Sequence, residues 1–455
     1  MTERMMTPLA LSVIVPSHNR VASVFRLLGA LQAQANPVDG VAADRFEVVV
    51  VADGCSDDTV SVLRQAIASN AFPFALRVVE QTHAQGAGIA RNAGAAQARG
   101  DTLVFVDDDI EPFATMLSTH EQLHADATNR GDALVLVGAP VPLRSSDASL
   151  RHIAAWGWWE QQFEQMSAPG HRFTYDEVFT GVLSMPAPLF HAVGGFDATL
   201  GDCHEDSELG LRLFRAGARG AFSRAAGGIH HEVRDLVRLL PRKWAEGRAD
   251  VRILRRWPEL VAVLKLAERE PPRRSWMGML RRPAFAAPRV AHLLPRVMLP
   301  LLTLIDRWRW RHSWRKLHGG VLVQSYWRGV ASEVGSEEVL RDLVAESRYA
   351  WSRWRETTRH LTIDLSLGLE AAEHLLESER PERLTVRLDE HLVGEVAALP
   401  AAERLHGGHL RRILGTTLNH SMRVALALRL ARRPNDTSSS RPAPDDADPS
   451  VVGST

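Results

Sequence analysis

Apolar residues form short runs in the first quarter of the chain, and a longer segment with apolar residues at helical spacing follows each run. The short runs predict strands, and the longer segments predict helices of about ten to fifteen residues. Strands that alternate with helices in this way indicate βαβ units and a mostly parallel sheet that is buried on both faces. The predicted strands are 11–16, 46–51, 76–79 and 103–106, and the predicted helices are 21–34, a segment that ends near Ser69, and 86–99.

The fourth predicted strand ends in three consecutive carboxylates, Asp107, Asp108 and Asp109. Adjacent carboxylates repel one another unless a cation or strong hydrogen bonds compensate, and open α/β sheets bind ligands beyond the carboxyl ends of their strands. Oxygen ligands without a nearby cysteine favour Mg²⁺ or Mn²⁺ over zinc. The run therefore predicts a site for a divalent cation and a diphosphate. Helix capping by Asp109 or Glu111 is the structural alternative, and the two roles are compatible.

Several short motifs follow one another along the first 250 residues in a fixed order. Residues 9–250 resemble the family 2 glycosyltransferases of the GT-A fold. The resemblance implies an α/β nucleotide-sugar-binding fold and an inverting enzyme that uses Mg²⁺ or Mn²⁺. Such an enzyme moves a sugar from a UDP- or GDP-sugar to a hydroxyl of a glycan or lipid-linked acceptor, in polysaccharide, glycolipid or cell-surface glycan synthesis. The motifs are VIVPSHNR at 13–20, VADGCSD at 51–57, ARNAG at 90–94, DDD at 107–109, GGFD at 194–197 and HED at 204–206.

The resemblance assigns contacts with the nucleotide sugar to the first three motifs. Asp53 follows the second predicted strand and would accept a hydrogen bond from a base N–H. His18 stands where the family often has Tyr, and an imidazole offers less area for stacking on the base. Pro16 and Asn19 either contact the nucleotide or shape the turn, and Arg91 either reaches the diphosphate or pairs with a neighbouring carboxylate.

Contacts with the cation and the ribose are assigned to the acidic run and to a later histidine pair. Asp109 is the first choice as a metal ligand, and Asp107 is the first choice for the ribose and a further candidate ligand. Asp108 is assigned to the nucleotide sugar, but the sequence does not settle the division among the three. His230 and His231 would reach the metal or the diphosphate, or would form a capping or exposed pair.

The acceptor side needs a general base, and the resemblance points to Asp206, with Glu205 as the alternative. Both begin a predicted helix at 205–216, where a carboxylate stays ionised but also serves as a cap. Three tryptophans, Trp156, Trp158 and Trp159, either form a wall for stacking the acceptor sugar or belong to the core.

Composition limits the partners and the compartment. With 455 residues and zero formal net charge, the chain has no signature of a polyanion-binding protein, so we expect no nucleic-acid partner. Cys55 and Cys203 make no disulfide framework, and residues 1–9 form no long apolar signal segment, which favours a cytoplasmic location. The competing class is a non-catalytic scaffold that binds nucleotide sugars. A nucleotidyltransferase would need a Gly-rich, basic loop near the first strand, and residues 17–20 are not one.

Charge and apolar residues are unevenly distributed beyond the catalytic motifs. Residues 271–316 contain eleven Arg or Lys and one acidic residue, Asp306, interleaved with tryptophans and leucines. The longest apolar run, 297–305, contains Pro300 and is about half the length of a spanning helix. This pattern predicts either a peripheral contact with an anionic membrane, on the inner face of the plasma membrane, or a basic helical cover on the catalytic domain.

The chain therefore divides into four predicted parts. The catalytic domain is 1–260, the basic amphipathic segment is 261–332, a small α+β domain is 333–432, and a disordered tail is 433–455. Within the α+β domain we predict strands at 361–365, 384–388 and 392–396, and helices at 337–359 and 405–430.

Overall fold

The computed structural model describes residues 9–36, 38, 40–144, 148–201, 203–231, 236–267 and 276–432. The strands are β1 (Leu11–Ser17), β2 (Phe46–Asp53), β3 (Ala75–Gln81), β4 (Thr102–Val106), β5 (Ile110–Pro112), β6 (Leu134–Pro142), β7 (Val182–Pro186), β8 (Arg219–His230), β9 (His360–Asp364), β10 (Arg383–Leu388) and β11 (His391–Val396). The helices of the first half are α1 (Val21–Gln34), α2 (Thr59–Ala68), α3 (Ala87–Ala95), α4 (Met116–Asn129), α5 (Leu150–Ser167), α6 (Ala187–Ala192) and α7 (Glu205–Arg215). Those of the second half are α8 (Leu236–Arg256), α9 (Trp276–Ala286), α10 (Pro288–Arg307), α11 (Arg311–Val334), α12 (Glu337–Thr357), α13 (Leu369–Glu379), α14 (Gly407–Gly415) and α15 (Asn419–Arg432).

A large mixed sheet forms the centre of the first half, with strand order β3-β2-β1-β4-β7-β6-β8-β5. Strand β1 pairs in parallel with β2 and β4, and β2 pairs in parallel with β3. Strand β7 is antiparallel to both β4 and β6, whereas β6 is parallel to β8. The predicted α/β class with a mostly parallel sheet is confirmed. The predicted helix at 86–99 is too long, because α3 ends at Ala95.

Close packing of α3 on the sheet determines where this helix points its polar residues. A Cβ atom at Gly94 would lie 2.5 Å from Cγ2 of Ile14 in β1, which is closer than real Cβ contacts. Gly94 therefore allows α3 to lie directly on the sheet, with Ala90 and Ala95 buried beside it. This placement brings Arg91, on the same helix, to the carboxyl edge of the sheet.

Helices α8 to α12 form a helical segment in which α8 crosses α11. Glycines at this crossing let the two helices pack closely. A Cβ atom at Gly247 would lie 2.1 Å from the carbonyl oxygen of Tyr326, and one at Gly329 would lie 1.9 Å from that of Trp244. Both glycines thus let two backbones approach more closely than any other residue allows. No helix in the described part of the chain has both the length and the apolar character needed to cross a membrane.

A second, three-stranded sheet with order β11-β10-β9 lies in the C-terminal part. Strand β9 is parallel to β10, and β10 is antiparallel to β11, so the three predicted strands are confirmed. The single helix predicted at 405–430 is wrong, because α14 ends at Gly415 and α15 begins at Asn419. Gly415 and the β-branched Thr416 disfavour helix, and the Asn419 side chain donates to the Gly415 carbonyl oxygen at 2.8 Å.

The two sheets are joined by buried polar contacts. Glu403 is 1% exposed, and its carboxylate accepts hydrogen bonds from the backbone N–H groups of Phe173 at 2.9 Å and Gly220 at 2.8 Å. Arg219 and Arg380 both pair with the buried carboxylate of Asp132. These contacts attach the C-terminal unit to the sheet of the first half. The division of the chain into four predicted parts stays a prediction, and the predicted tail at 433–455 lies outside the described residues.

Glu403, His406 and His409 bring possible ligand atoms within 4.8 Å of one another. The Nδ1 atom of His409 accepts from the backbone N–H of His406 at 3.1 Å, and the Nδ1 atom of His406 accepts from Arg219 at 3.0 Å. Burial, with His409 and Arg219 adding to its effect, lowers the pKa of His406 to about 2. An imidazole that accepts at Nδ1 carries its proton on Nε2, the atom that faces Glu403 in both rings. The cluster is therefore a hydrogen-bonded junction and does not fit a metal.

Candidate functional site

The parallel register of β1, β2 and β4 brings the predicted motifs to one edge of the sheet. Ser17, the last residue of β1, lies opposite Ala52 in β2, and Ile14 lies opposite Phe105 in β4. The segments that follow the three strands therefore leave the sheet side by side. This edge is where an open α/β sheet places its ligands.

Asp53 ends β2 and is 6% exposed. Its carboxylate accepts hydrogen bonds from the backbone N–H groups of Gln85 at 2.7 Å and Gly86 at 2.9 Å. The Nδ1 atom of His18 lies 2.6 Å from the carbonyl oxygen of Asp53. Asp53 thus fixes the loop before α3 and orients the His18 ring beside it.

Asn19 has φ of 54°, in the left-handed region that Asn tolerates. Its Oδ1 atom accepts hydrogen bonds from the backbone N–H groups of Ser56 at 2.7 Å and Asp57 at 3.2 Å. These contacts are those of a residue that shapes the turn, which is the structural alternative for Asn19. Pro16 lies within β1, opposite Val51, and its contact with a nucleotide stays a prediction.

Ser17 and Arg20, for which the sequence motifs predicted no separate role, contact the acidic run. Ser17 donates a hydrogen bond to Asp108 at 2.7 Å, and one guanidinium nitrogen of Arg20 lies 3.1 Å from both Asp108 and Asp109. Burial raises the pKa of Asp108 to about 6, with Ser17 and Arg20 opposing the rise and the neighbouring aspartates adding to it. Both residues stand in the motif at 13–20, and that proximity was the signal available in the sequence.

Arg91 joins the two halves of the site. Its guanidinium lies 2.6 Å from Asp107 and 3.4 Å from Glu205, and its side chain is 4% exposed. Burial lowers the pKa of Arg91, but the charges of Asp107 and Glu205 outweigh burial and raise it. Arg91 therefore pairs with neighbouring carboxylates, which is one of the two roles that the sequence leaves open. Through it, the end of β4 and the start of α7 become neighbours although Asp107 and Glu205 are 98 positions apart in the sequence.

The acidic pair at the start of α7 occupies two different environments. Glu205 is buried, and burial and then the charge of Asp206 raise its pKa to about 7 against the opposing charge of Arg91. Asp206 is half-buried, and its carboxylate accepts a hydrogen bond from the Ser207 N–H at 2.8 Å. Burial lowers the pKa of Arg242 in α8, but the charges of Asp206 and its neighbours outweigh burial and raise it. The carbonyl oxygen of Arg242 accepts from the Cys203 thiol at 3.8 Å, just before the acidic pair.

The histidine pair divides between two partners. The Nε2 atom of His230 lies 3.4 Å from Oδ1 of Asp109, so one nitrogen and one oxygen ligand face each other there. The His231 ring instead lies 2.7 Å from Glu111, while its backbone N–H donates to the Asp109 carbonyl oxygen at 3.0 Å. Asp109 and His230 therefore offer one oxygen and one nitrogen ligand for a cation such as Mn²⁺, whereas the carboxylate of Asp107 pairs with Arg91. The structure does not bring the ring of His231 to that point.

The tryptophans of α5 divide between core and surface. The ring of Trp159 stacks on Phe163 with centroids 5.5 Å apart, and Phe163 is buried. Trp158 packs edge-on against Trp159 at 4.8 Å and remains 48% exposed. Trp159 thus follows the core alternative, whereas Trp158 is partly exposed at the surface of α5.

A family model agrees with this arrangement of residues. Residues 12–168 match the model described as glycosyl transferase family 2. This span contains the first four motifs, from the SHNR segment to the acidic run.

Curated relatives match shorter or longer stretches. An uncharacterized glycosyltransferase of Haemophilus influenzae is 39% identical over 99 residues, which is 22% of this chain and 29% of that protein. An undecaprenyl-phosphate 4-deoxy-4-formamido-L-arabinose transferase of Pseudomonas savastanoi pv. phaseolicola is 32% identical over 100 residues, covering 22% and 28%. A validoxylamine A glucosyltransferase of Streptomyces hygroscopicus subsp. jinggangensis is 30% identical over 250 residues, covering 48% and 54%. The chain thus spans about a quarter to a half of the length of these relatives.

Among solved structures, a mannosyltransferase from Pyrobaculum calidifontis in complex with GDP-Man and Mn²⁺ is 18% identical, with a TM-score of 0.46 over 72% of this chain and 89% of that chain. TarS of S. aureus, as its residues 1–349, is 18% identical, with a TM-score of 0.38 over 72% of this chain and 92% of that chain.

Proposed function

We propose that this chain, whose residues 12–168 match the glycosyl transferase family 2 model, transfers a sugar from a nucleoside diphosphate sugar to an acceptor hydroxyl with inversion at the anomeric carbon. The observation that carries the proposal is the bridge of Arg91 between Asp107 and Glu205. This bridge brings the carboxylate assigned to the donor side next to the acidic pair assigned to the acceptor side, as a displacement between two substrates requires.

The donor side rests on the edge formed by β1, β2 and β4. His18 would lie against the base, and Asp53 would accept a base N–H while it fixes the loop before α3. Asp107 would contact the ribose or join Asp109 and His230 in holding a divalent cation, and Asp108 would line the nucleotide-sugar pocket. A bound Mg²⁺ or Mn²⁺ would supply positive charge to the departing diphosphate.

The acceptor side rests on Asp206. Its half-buried carboxylate is the proposed general base, and it takes the proton of the acceptor hydroxyl as that oxygen attacks the anomeric carbon. The bond from the anomeric carbon to the diphosphate oxygen breaks in the same step, and its electron pair leaves with the nucleoside diphosphate. Glu205 is buried against Arg91 and serves as a positioning residue.

Donor and acceptor are proposed by class. The donor is a UDP- or GDP-sugar, and the acceptor is a glycan or a lipid-linked molecule, as in polysaccharide or glycolipid synthesis. One relative is named for an undecaprenyl-phosphate acceptor and another for validoxylamine A, and each matches over part of its length.

Calorimetry with UDP and GDP, in Mn²⁺ and in chelator, tests the donor site. We expect affinity that depends on the cation and is lost in Asp109→Ala. Equal affinity in cation and in chelator would contradict the metal assignment.

Hydrolysis of a panel of UDP- and GDP-sugars tests catalysis. Asp206→Asn should bind nucleotide normally and lose turnover by about a hundredfold or more, the scale of losing a positioned base. Asp101→Asn is the matched control, because this exposed residue precedes β4 at the opposite edge of the sheet. If the chain binds nucleotide but turns over no sugar in the panel, the non-catalytic scaffold becomes the better description.

A further inference from the structure

Helix α10 carries a row of exposed apolar side chains along one face. Their spacing of three or four residues places them on one side of an α-helix. Val297 is 71% exposed and Trp308, which directly follows the helix, is 54% exposed. At 1.5 Å per residue the 20-residue helix is about 30 Å long. We call this row the apolar stripe; it consists of Leu293, Val297, Leu301, Leu304 and Trp308.

The opposite face of α10 is already packed against the protein. Leu302 and Ile305 are buried in a cluster with Leu240 of α8 and Trp314 of α11. The side chain of Asp306 accepts the backbone N–H of Leu150 at 2.8 Å, which fixes the end of α10 to the start of α5. The stripe is therefore a second apolar face that other described parts of the chain do not cover.

Positive charge surrounds the C-terminal end of the stripe. Arg307, Arg311 and Arg315 are exposed there, and Asp306 is the single acidic residue between positions 276 and 332. The rings of Trp308 and Trp310 pack edge-on at 4.8 Å, and both are 54% exposed. Apolar residues on one face, with arginines and tryptophans at its border, match the chemistry of an anionic lipid surface, where headgroups pair with arginine and acyl chains receive the leucines.

Helix α8 connects α10 to the segment that carries the proposed general base. Leu240 of α8 packs against Leu302 and Ile305 of α10. Two residues further along α8, the carbonyl oxygen of Arg242 accepts from the Cys203 thiol at 3.8 Å, three residues before Asp206. Helix α8 thus contacts both α10 and the chain that leads into the acidic pair.

We propose that α10 docks the protein on an anionic lipid bilayer through the apolar stripe and its flanking arginines. The helix lies in the plane of the interface, with the leucines and Trp308 inserted below the headgroups. This orientation holds the Asp206 side of the cleft near the bilayer, so an acceptor anchored in lipid reaches it from the membrane, a consequence that rests on the proposed function.

Flotation of the full-length protein with phosphatidylcholine vesicles, with and without phosphatidylglycerol, tests the proposal. We expect flotation with the anionic vesicles and a decrease as salt rises, because salt screens the arginine contacts. Val297→Ser with Leu301→Ser should reduce the partition coefficient at least about tenfold through lost apolar burial. Arg307→Glu, Arg311→Glu and Arg315→Glu together should reduce it by about a hundredfold or more.

Matched controls separate the stripe from general exposure of apolar residues. Leu367 and Leu392 are 79% and 57% exposed in the C-terminal unit, and Leu367→Ser with Leu392→Ser should float like the unaltered protein. Arg309 stays unchanged in the charge-reversal variant, because its guanidinium donates a hydrogen bond to the Ala148 carbonyl oxygen at 2.7 Å and so contributes to the fold. Circular dichroism confirms that each variant is folded.

Equal flotation of the stripe variant and the unaltered protein would overturn the proposal. So would the absence of flotation with anionic vesicles, or a dimer in analytical ultracentrifugation that Val297→Ser with Leu301→Ser abolishes, because the stripe would then face a second copy. Flotation is measured without nucleotide sugar, and calorimetry with UDP and GDP is measured without vesicles. A failure of membrane docking is therefore distinguishable from a failure of the proposed function.

Discussion

The imidazole of His204 lies with its Nε2 atom 3.5 Å from the buried carboxylate of Asp250 in α8. His204 has φ of 61° and immediately precedes Glu205 and Asp206. The hydroxyl of Tyr326 in α11 donates to the same carboxylate at 2.6 Å. The helical segment thus fixes the backbone that presents the proposed base, and no motif in the sequence pointed to this contact.

We expect Tyr326→Phe to destabilise the protein by about 1–3 kcal/mol, because a hydrogen bond to a buried charged group is lost. Burial, and then the charge of Asp250, raise the pKa of Tyr326, so the phenol remains a donor at neutral pH. Urea unfolding measures the change, and Tyr349→Phe at a 68% exposed position should leave stability unchanged. Equal stability of the two variants would show that the bond to Asp250 contributes nothing.

Arg91→Lys should weaken both halves of the site. A lysine ammonium is a point charge that cannot satisfy Asp107 and Glu205 together, so we expect a loss of about 1–3 kcal/mol in unfolding free energy and weaker UDP or GDP binding. Arg64→Lys is the control, because Arg64 pairs with Glu80 at the surface, where such pairs contribute about 0–1 kcal/mol. Chemical denaturation and calorimetry provide the two measurements. Wild-type stability in Arg91→Lys would contradict the bridging role.

Glu205 should make stability depend on pH in a defined window. Its pKa is raised from 4.5 to about 7, so the folded protein holds a proton that the unfolded chain releases between these values. Stability attributable to Glu205 therefore falls as pH rises from 4.5 to 7 and stays low above that range. Glu205→Gln should match the unaltered protein in Tm at pH 4.5 and exceed it at pH 8, in thermal scans without metal or nucleotide. A constant Tm difference across this range would contradict the assignment.

Glu403→Gln tests the junction between the two sheets. The two carboxylate oxygens of Glu403 accept from the backbone N–H groups of Phe173 and Gly220. A Gln side chain has one acceptor oxygen, and its amide nitrogen cannot accept. One buried N–H group therefore loses its partner, at a cost of about 1–3 kcal/mol. Glu395→Gln, at an exposed position in β11, should have no measurable effect on stability.

Zinc should not raise the Tm of the unaltered protein, because His406 and His409 accept hydrogen bonds at Nδ1. A zinc-dependent rise in Tm would contradict this description of the cluster.

The sequence predicted the parts of the fold that local patterns encode. Apolar spacing predicts the bounds of α1 and the positions of the first four strands, each of which extends one to three residues beyond its prediction. Asp53, Asp107 and Glu205 became candidate site residues because each stands in a short motif, and their roles stay predictions. Two features were not predictable in this way. Strand β7 enters antiparallel between β4 and β6, which depends on pairing between residues about 80 positions apart (Val182 with Val106 and Leu183 with Phe105). Whether Arg91 pairs with Asp107 and Glu205 also depends on tertiary distances.

The Glu403 junction also bears on how this chain can be shortened or recombined. The sequence predicts a domain boundary after Ser332. Truncation there would remove the Glu403 carboxylate, which accepts hydrogen bonds from the backbone N–H groups of Phe173 and Gly220, and it would remove Arg380, which pairs with Asp132. Any exchange of the C-terminal unit between related chains must therefore carry along the segments around 173 and 219 of the catalytic half. We therefore expect the three-stranded sheet to unfold together with the large sheet, so that destabilising substitutions in either one lower the stability of both.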